Sequence, residues 1–99
     1  IKHENCPSGF RGIYGGPKTI IENVYIKISG PAICGIEVNT STESRATIVK
    51  SCNINTSQNV PSIRCFSGTQ NNYMINNIIN QPVVDNGNNF ELGSLFIPE

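Results

Sequence analysis

The chain has 99 residues, with seven basic and seven acidic side chains and a formal net charge of zero. This length suits one domain, so we expect a single domain over residues 1–99. The charges are scattered, which argues against a nucleic-acid or membrane partner, and the apolar runs are far shorter than the roughly 20 residues that span a bilayer.

The choice of residues favours β-structure over helix. Fifteen Ile and six Val stand against two Leu, and β-branched side chains suit a pleated surface. Fourteen Asn disfavour helix interiors and are typical of turns. Codon bias in an AT-rich genome would account for part of this composition, but not for the alternation of apolar and polar residues described next.

The first half of the chain predicts two strands after an irregular start. Residues 1–19 are rich in Gly and Pro, which excludes a long helix or strand there. "IIENVYIKIS" (20–29) alternates with a period of two, as a half-buried strand does, and "GP" ends it. "AICGIEV" (32–38) is the second predicted strand. We find no internal repeat, although the triplet "NTS" occurs twice.

The second half predicts four more strands separated by polar turns. They are "RATIVKSC" (45–52), "VPSIRCF" (60–66), "YMINNIIN" (73–80) and "FELGSLFI" (90–97). An amphipathic helix is the weaker alternative over 73–80, because two Asn lie in its middle. Six short strands spaced about ten residues apart predict an all-β fold, a small antiparallel β-sandwich or barrel with hairpins near Thr42 and between Gln58 and Asn59.

Four widely spaced cysteines, Cys6, Cys34, Cys52 and Cys65, favour two disulfide bonds over the alternative of free thiols. The preferred pairing joins Cys6 to Cys34, which would tie down the N-terminal segment, and Cys52 to Cys65. The alternative joins Cys34 to Cys52 and Cys6 to Cys65. Disulfides, together with a first residue that is Ile rather than Met, predict a secreted, extracellular protein whose signal peptide has been removed.

Asn39 and Asn55 begin the two "NTS" triplets, which match the acceptor motif for N-linked glycans. Both triplets fall where the predicted strands leave turns, and a glycan needs an exposed turn. The abundance of Asn, Ser and Thr means that one such motif is also expected by chance.

The sequence offers little support for catalysis, a metal site or a cofactor. The single histidine, His3, lies near the start of the chain, where it has no predicted nucleophile beside it. "DNGNNFELG" (85–93) departs from a calcium-binding EF-hand loop, because Phe90 stands where Gly is required and Phe96 where Glu is required. We therefore predict a protein that is not an enzyme and that holds no metal ion or cofactor.

The stretches "GFRGIYG", "ICGIEV", "RATIVKS" and "VPSIRCFS" resemble small insect secreted proteins of the multiprotein-bridging-factor-2 class. The resemblance spans roughly residues 9–80 and consists mainly of strand alternation. Ser51 and Cys52 replace a Gly-Gly pair of that class, and residues 81–99 are additional. The resemblance implies an invertebrate extracellular protein and assigns no activity.

These observations predict a non-enzymatic binding or effector module of an invertebrate extracellular fluid, with a protein partner or self-association. One alternative is a structural protein that assembles through an edge strand, since 53–63 and 70–82 are low in charge and rich in Asn and Ile. A second alternative is a serine-protease inhibitor that presents Arg11 on an exposed loop. Tyr14, Tyr25 and Phe10 are candidates for a carbohydrate- or partner-binding surface.

Overall fold

The computed structural model describes residues 1–16, 18–39 and 47–98, which form thirteen short strands and no helix. The strands are β1 (Lys2–His3), β2 (Arg11–Gly15), β3 (Ile20–Glu22), β4 (Tyr25–Ile28), β5 (Cys34–Val38), β6 (Ile48–Lys50), β7 (Asn53–Thr56), β8 (Ile63–Cys65), β9 (Gln70–Ile75), β10 (Ile78–Ile79), β11 (Val83–Asp85), β12 (Asn88–Leu92) and β13 (Leu95–Phe96).

The strands form three parallel sheets that the chain visits in turn. Sheet A has the order β1-β4-β7-β10-β13, sheet B has the order β2-β5-β8-β11, and sheet C has the order β3-β6-β9-β12. Every strand pair in the described residues is parallel. Because each circuit returns the chain beside the strand it made one circuit earlier, the fold is a three-sided parallel β-helix.

Residues that occupy the same place in successive circuits, or rungs, stack into columns. One core column on sheet A contains Ile26, Ile54, Ile79 and Phe96, which are register partners in β4, β7, β10 and β13. Ile26 and Ile54 are almost completely buried. Complete burial of an Ile side chain contributes about 2 kcal/mol, so such columns supply most of the stabilisation of the fold.

Sheets B and C contribute further core columns. Ile13, Ile36, Ile63 and Val83 are register partners on sheet B. On sheet C, Ile21, Val49 and Met74 form a column that Glu91 continues in β12. These columns are therefore apolar in the inner rungs, whereas the sheet C column ends in a charged residue in the last rung.

The corner between sheets C and A repeats the same backbone conformation in each rung. Asn23, Ser51, Asn76 and Gly93 all have positive φ, between 53° and 69°. Each lies two residues before a strand of sheet A. Asn and Gly tolerate this left-handed conformation best, which explains part of the high Asn content.

Buried asparagine side chains bind the backbone of the preceding rung. Asn77 Oδ1 accepts a hydrogen bond from the Cys52 amide, and its Nδ2 donates to the Val49 carbonyl, both at 3.0 Å. Asn80 makes the same pair of contacts with the backbone of Thr56, at 2.9 and 2.7 Å. These amides satisfy backbone groups at corners, where the strand ladders are interrupted.

The all-β prediction is confirmed, but the antiparallel sandwich or barrel of six strands is wrong. The predicted strand over 20–29 is divided into β3 and β4 by the left-handed residue Asn23. The segment 73–80 belongs to β9 and β10, so the helical alternative is also wrong. Part of the hairpin near Thr42 lies outside the described residues, but its two flanking strands, β5 and β6, belong to different sheets.

The disulfide-stapled fold is likewise wrong, because Cys6, Cys34, Cys52 and Cys65 are all buried free thiols. Their positions explain why Cys52 and Cys65 do not pair. The Cys52 Sγ atom lies 3.6 Å from the Ile21 carbonyl at the corner between sheets C and A, whereas the Cys65 Sγ atom lies 3.6 Å from Met74 Sδ. The thiols fill space as small apolar groups do, and burial raises the pKa of Cys65 to about 12.

Candidate ligand-binding groove

A groove of about 190 Å³ lies on sheet A. Its lining comes from three successive strands, β4, β7 and β10, and from the residues that directly follow β10 and β13: Tyr25, Asn53, Ile54, Asn55, Ile78, Ile79, Asn80 and Ile97. Neighbouring strands are about 4.8 Å apart, so these four rungs give the groove a length of about 14 Å along the axis of the β-helix.

The register of sheet A builds the groove from an outer column. Tyr25, Asn53, Ile78 and Leu95 are register partners in β4, β7, β10 and β13. They alternate with the buried column of Ile26 and Ile54, because successive side chains of a strand point to opposite faces. The same alternation that fills the core therefore places one residue per rung on the outside.

The lining combines an aromatic ring, amide groups and apolar side chains, and it carries no charged side chain. Tyr25 is 51% exposed and Asn53 is exposed, so both are accessible to a ligand. The Asn80 amide, by contrast, is occupied by the backbone of Thr56. Lys27, which is in register with Asn55, places a positive charge beside the groove.

A second polar cluster lies on sheet B and contains three charges from three successive rungs. Arg11 Nε lies 2.9 Å from Glu37 Oε1, and Arg64 Nη1 lies 3.9 Å from the same oxygen. Arg64 also lies over the Phe66 ring, 5.5 Å from its centroid. The Glu37 carboxylate raises the pKa of the Arg11 guanidinium, so this group stays positively charged.

Cys34 lies among these charges, and its thiol has low reactivity. Burial is the main cause that raises the pKa of its thiol to about 12, and the Glu37 carboxylate raises it further. A thiol in this environment is protonated at neutral pH and is a poor nucleophile. The cluster is therefore suited to electrostatic binding and not to thiol chemistry.

The structure places Arg11 and the two predicted glycan acceptors, Asn39 and Asn55, in different surroundings. Arg11 begins strand β2 and is paired with Glu37, so the predicted exposed Arg11 loop is not present. Asn39 follows β5 and donates its backbone N–H to Gly15, while the rest of its triplet lies outside the described residues. Asn55 lies within β7 and not in a turn.

The aromatic candidates are divided among different parts of the fold. Phe10 packs against the core and makes an edge contact with the His3 ring at 4.9 Å. Tyr14 is exposed on sheet B, and only Tyr25 lines the groove. The sequence analysis missed Asn53 and Ile78, whose positions depend on a register that no short segment of the sequence reveals.

The segment considered for calcium forms a turn that is satisfied internally. The two Asp85 carboxylate oxygens accept hydrogen bonds from the backbone N–H groups of Gly87 and Asn89, at 2.9 and 3.1 Å. Residues 1–16, 18–39 and 47–98 contain no cluster of three His, Cys, Asp or Glu side chains that could hold a metal ion. The same residues include no helix long and apolar enough to cross a membrane.

No protein-family model matches the chain, and neither a curated protein nor a solved structure shows significant similarity to it. The resemblance to the multiprotein-bridging-factor-2 class accordingly stays a prediction.

Proposed function

We propose that this protein is a non-enzymatic binding module that holds a neutral carbohydrate chain in the groove on sheet A. The observation that carries this proposal is the uncharged lining of the groove, with the exposed ring of Tyr25 in the same column as the exposed amide of Asn53. Aromatic rings offer an apolar face to a sugar ring, and amides both donate and accept hydrogen bonds to hydroxyl groups.

The direction of the groove supports a chain-like ligand. It runs across the strands, so successive rungs offer contacts at intervals of about 4.8 Å. A single small molecule would use one or two rungs, whereas a linear oligosaccharide would contact all four rungs. The lining also offers no carboxylate or imidazole, the groups that hydrolysis of a glycosidic bond most often requires, which supports binding over catalysis.

Titration calorimetry with neutral oligosaccharides of about four to six residues tests this proposal. We expect Tyr25→Ala to weaken binding about tenfold or more, because it removes the aromatic face, and Asn53→Ala to weaken it less. Leu92→Ala is the matched control, since Leu92 is 52% exposed but lies on sheet C. Equal losses in Tyr25→Ala and Leu92→Ala, or no binding across a neutral glycan array, would contradict the proposal.

Assembly into a larger structure is a second candidate, favoured by the exposed apolar residues of β12 and β13. Phe90, Leu92, Leu95 and Phe96 are all exposed, and the outer edges of these strands have no partner strand in the described residues. Unpaired strand edges are templates for pairing with another chain. Sedimentation velocity over a range of concentrations tests this candidate: larger species at higher concentration support it, and a constant sedimentation coefficient contradicts it.

The extracellular location and the glycans are further proposals that intact mass measurement on protein from its source would test. The predicted location had its main argument in disulfide bonds, which the structure does not contain. Asn55 lines the groove, so a glycan attached there would occupy the space that we assign to a ligand. A mass increase that maps to Asn55 would therefore argue against the groove as a binding site.

The inhibitor hypothesis has less support than these proposals. An inhibitory arginine must reach into the specificity pocket of a protease from an exposed, extended loop. Arg11 instead lies in a strand of sheet B with its guanidinium beside a buried carboxylate. Release of that guanidinium would leave the charge of Glu37 less compensated in a buried position, which is energetically costly.

A further inference from the structure

The cluster of Arg11, Glu37 and Arg64 on sheet B leaves hydrogen-bonding groups without partners inside the protein. Glu37 lies in the second rung, between Arg11 of the first rung and Arg64 of the third, and its side chain is only 1% exposed. Both of its carboxylate oxygens are buried, and neither has a hydrogen-bond partner within the described residues. Arg11 Nε lies at an ion-pair distance of 2.9 Å from Glu37 Oε1.

The two arginines have donor groups to spare. Each guanidinium has five N–H donors, and the two side chains are 36% and 29% exposed. Within the described residues, the only acidic partner of either one is the single oxygen Glu37 Oε1. Two positive charges thus share one negative charge, which leaves a local excess of one positive charge facing the surface of sheet B.

We propose that Arg11 and Arg64 form a binding site for a carboxylate group carried on a sugar ring, as in a uronic acid. A planar guanidinium fork binds a carboxylate through two parallel hydrogen bonds. The excess of one positive charge matches a carboxylate monoanion better than a phosphate dianion. Tyr14, which is 58% exposed and in register with Glu37, offers an aromatic face to the ring that carries the acid.

The buried carboxylate of Glu37 holds the two guanidinium groups in place for this ligand. A buried ion cluster that only stabilises the fold is most favourable when every carboxylate lone pair and every guanidinium N–H group has a hydrogen-bond partner within the protein. Here the donors of Arg11 and Arg64 remain available at the surface. The site lies on a different sheet from the groove, so its ligand does not depend on the proposed binding of neutral carbohydrate.

Nuclear magnetic resonance titration with the methyl glycoside of glucuronic acid tests the proposal, with the Nε–Hε signals of Arg11 and Arg64 as reporters. We expect saturable shifts of both signals and a dissociation constant in the millimolar range, because one charged contact contributes only a few kcal/mol. The methyl ester of the same sugar lacks the negative charge and should bind at least about tenfold more weakly.

Substitutions distinguish a binding role from a structural one. Arg64→Ala should weaken binding about tenfold, and Arg64→Lys should weaken it less, since the charge remains but the fork is lost. Lys50→Ala removes a cation on sheet C that pairs with Glu22 and is the control, with no expected effect.

Two results would overturn the proposal. One is equal affinity for the acid and its methyl ester, and the other is a loss in Lys50→Ala as large as that in Arg64→Ala. Tyr25→Ala should leave the glucuronate titration unchanged. A protein that binds neutral oligosaccharides through Tyr25 but shows no glucuronate shifts would refute this inference and leave the proposed function intact.

Discussion

The inner rungs and the C-terminal edge of the β-helix carry different residues at equivalent column positions: apolar side chains in the inner rungs and carboxylates at the edge. Val49 and Met74 fill a core column of sheet C, and their register partner in β12 is Glu91. On sheet B, Val38 and Cys65 are followed in the same column by Asp85. A column is buried only where a rung lies on both sides, so the edge tolerates charges that the interior would reject.

These two carboxylates also bear on assembly. A second copy that stacked on the edge would bury Asp85 and Glu91 beneath its first rung, and an unpaired buried carboxylate costs several kcal/mol. Charges that point towards the interior are one way in which natural sheets protect their edges. The apolar residues of the edge favour stacking of a second copy, whereas the carboxylates oppose it. Assembly is therefore the less favoured of the two proposed functions.

The largest expected difference between the two regions is in the core column of sheet A. Ile54 is buried between two rungs, whereas its column partner Phe96 is 51% exposed at the edge. We expect Ile54→Ala to lower the free energy of unfolding by about 2–5 kcal/mol, as buried Ile-to-Ala substitutions do, and Phe96→Ala to lower it by only about 1 kcal/mol. Urea denaturation at neutral pH measures both values.

Equal losses for the two variants would mean that the edge is as well covered as the interior. Phe is larger than Ile, so truncating Phe96 would lower the free energy of unfolding more than truncating Ile54 if the two side chains were equally buried. A smaller loss at Phe96 therefore reports its exposure. A loss at Phe96 greater than that at Ile54 would show that another chain covers β13 under the conditions of the experiment.

The next largest difference concerns buried asparagine amides. Asn77 is fully buried and satisfies the backbone of Cys52 and Val49. We expect Asn77→Ala to cost about 2–3 kcal/mol, because it leaves one buried donor and one buried acceptor unpaired. Asn89, in the last rung, binds Asn72 and Asp85 but is partly exposed, so we expect Asn89→Ala to cost about 1 kcal/mol.

Amide hydrogen exchange provides a second measurement for the asparagine pair. In Asn77→Ala, the Cys52 amide loses its acceptor and should exchange faster than in the unmodified protein. Unchanged exchange at Cys52 would show that water or a backbone shift replaces the asparagine at that corner.

The smallest expected effect is a pH dependence at the edge. Burial raises the pKa of Asp85, but hydrogen bonds from the Asn89 side chain and from the backbone of Gly87 and Asn89 outweigh it, so the net pKa is lowered from 3.8. A lowered folded-state pKa stabilises the protein above the unfolded value, and this contribution is lost as the pH falls through the folded value. Below about pH 4, Asp85→Asn should therefore lose less stability than the unmodified protein.

Thermal denaturation between pH 2 and pH 7 measures this difference. The two proteins should show their largest divergence in the slope of melting temperature against pH on the acidic side. Parallel curves over the whole range would mean that Asp85 does not contribute to the acid limb of stability.

Much of the local structure could be predicted from the sequence, because it depends on neighbouring residues. Alternation of apolar and polar residues indicated strands: β3, β4, β5, β6, β8, β10 and β13, and parts of β9 and β12, fall inside predicted strands. One repeating pattern was not recognised: an apolar residue, a left-handed residue two positions later and an Ile three positions after that recur at Ile21-Asn23-Ile26, Val49-Ser51-Ile54 and Met74-Asn76-Ile79. The uneven spacing of the rungs hides this repeat, since Tyr25 pairs with Asn53 whereas Ile78 pairs with Leu95.

The candidate sites could be predicted only in part. Tyr25 and Asn55 attracted attention for their chemistry, yet their common groove depends on β4 and β7 being neighbours. Arg11, Glu37 and Arg64 are far apart in the chain, and nothing in their local sequence predicts that two arginines approach one glutamate. The cysteines show the opposite error: their number and spacing suggested disulfides, but all four are buried free thiols, and Cys52 lies at a corner whereas Cys65 lies on sheet B.

The sequence by itself determined that this chain is built of short strands separated by left-handed Asn and Gly turns, because those preferences reside in single residues and their neighbours. The tertiary structure alone decided that the strands are parallel and coil into a β-helix. Period-two alternation is the same in parallel and antiparallel strands, and each pairing joins residues that lie a full circuit apart. The groove, the arginine pair and the exposed edge all follow from that coiling.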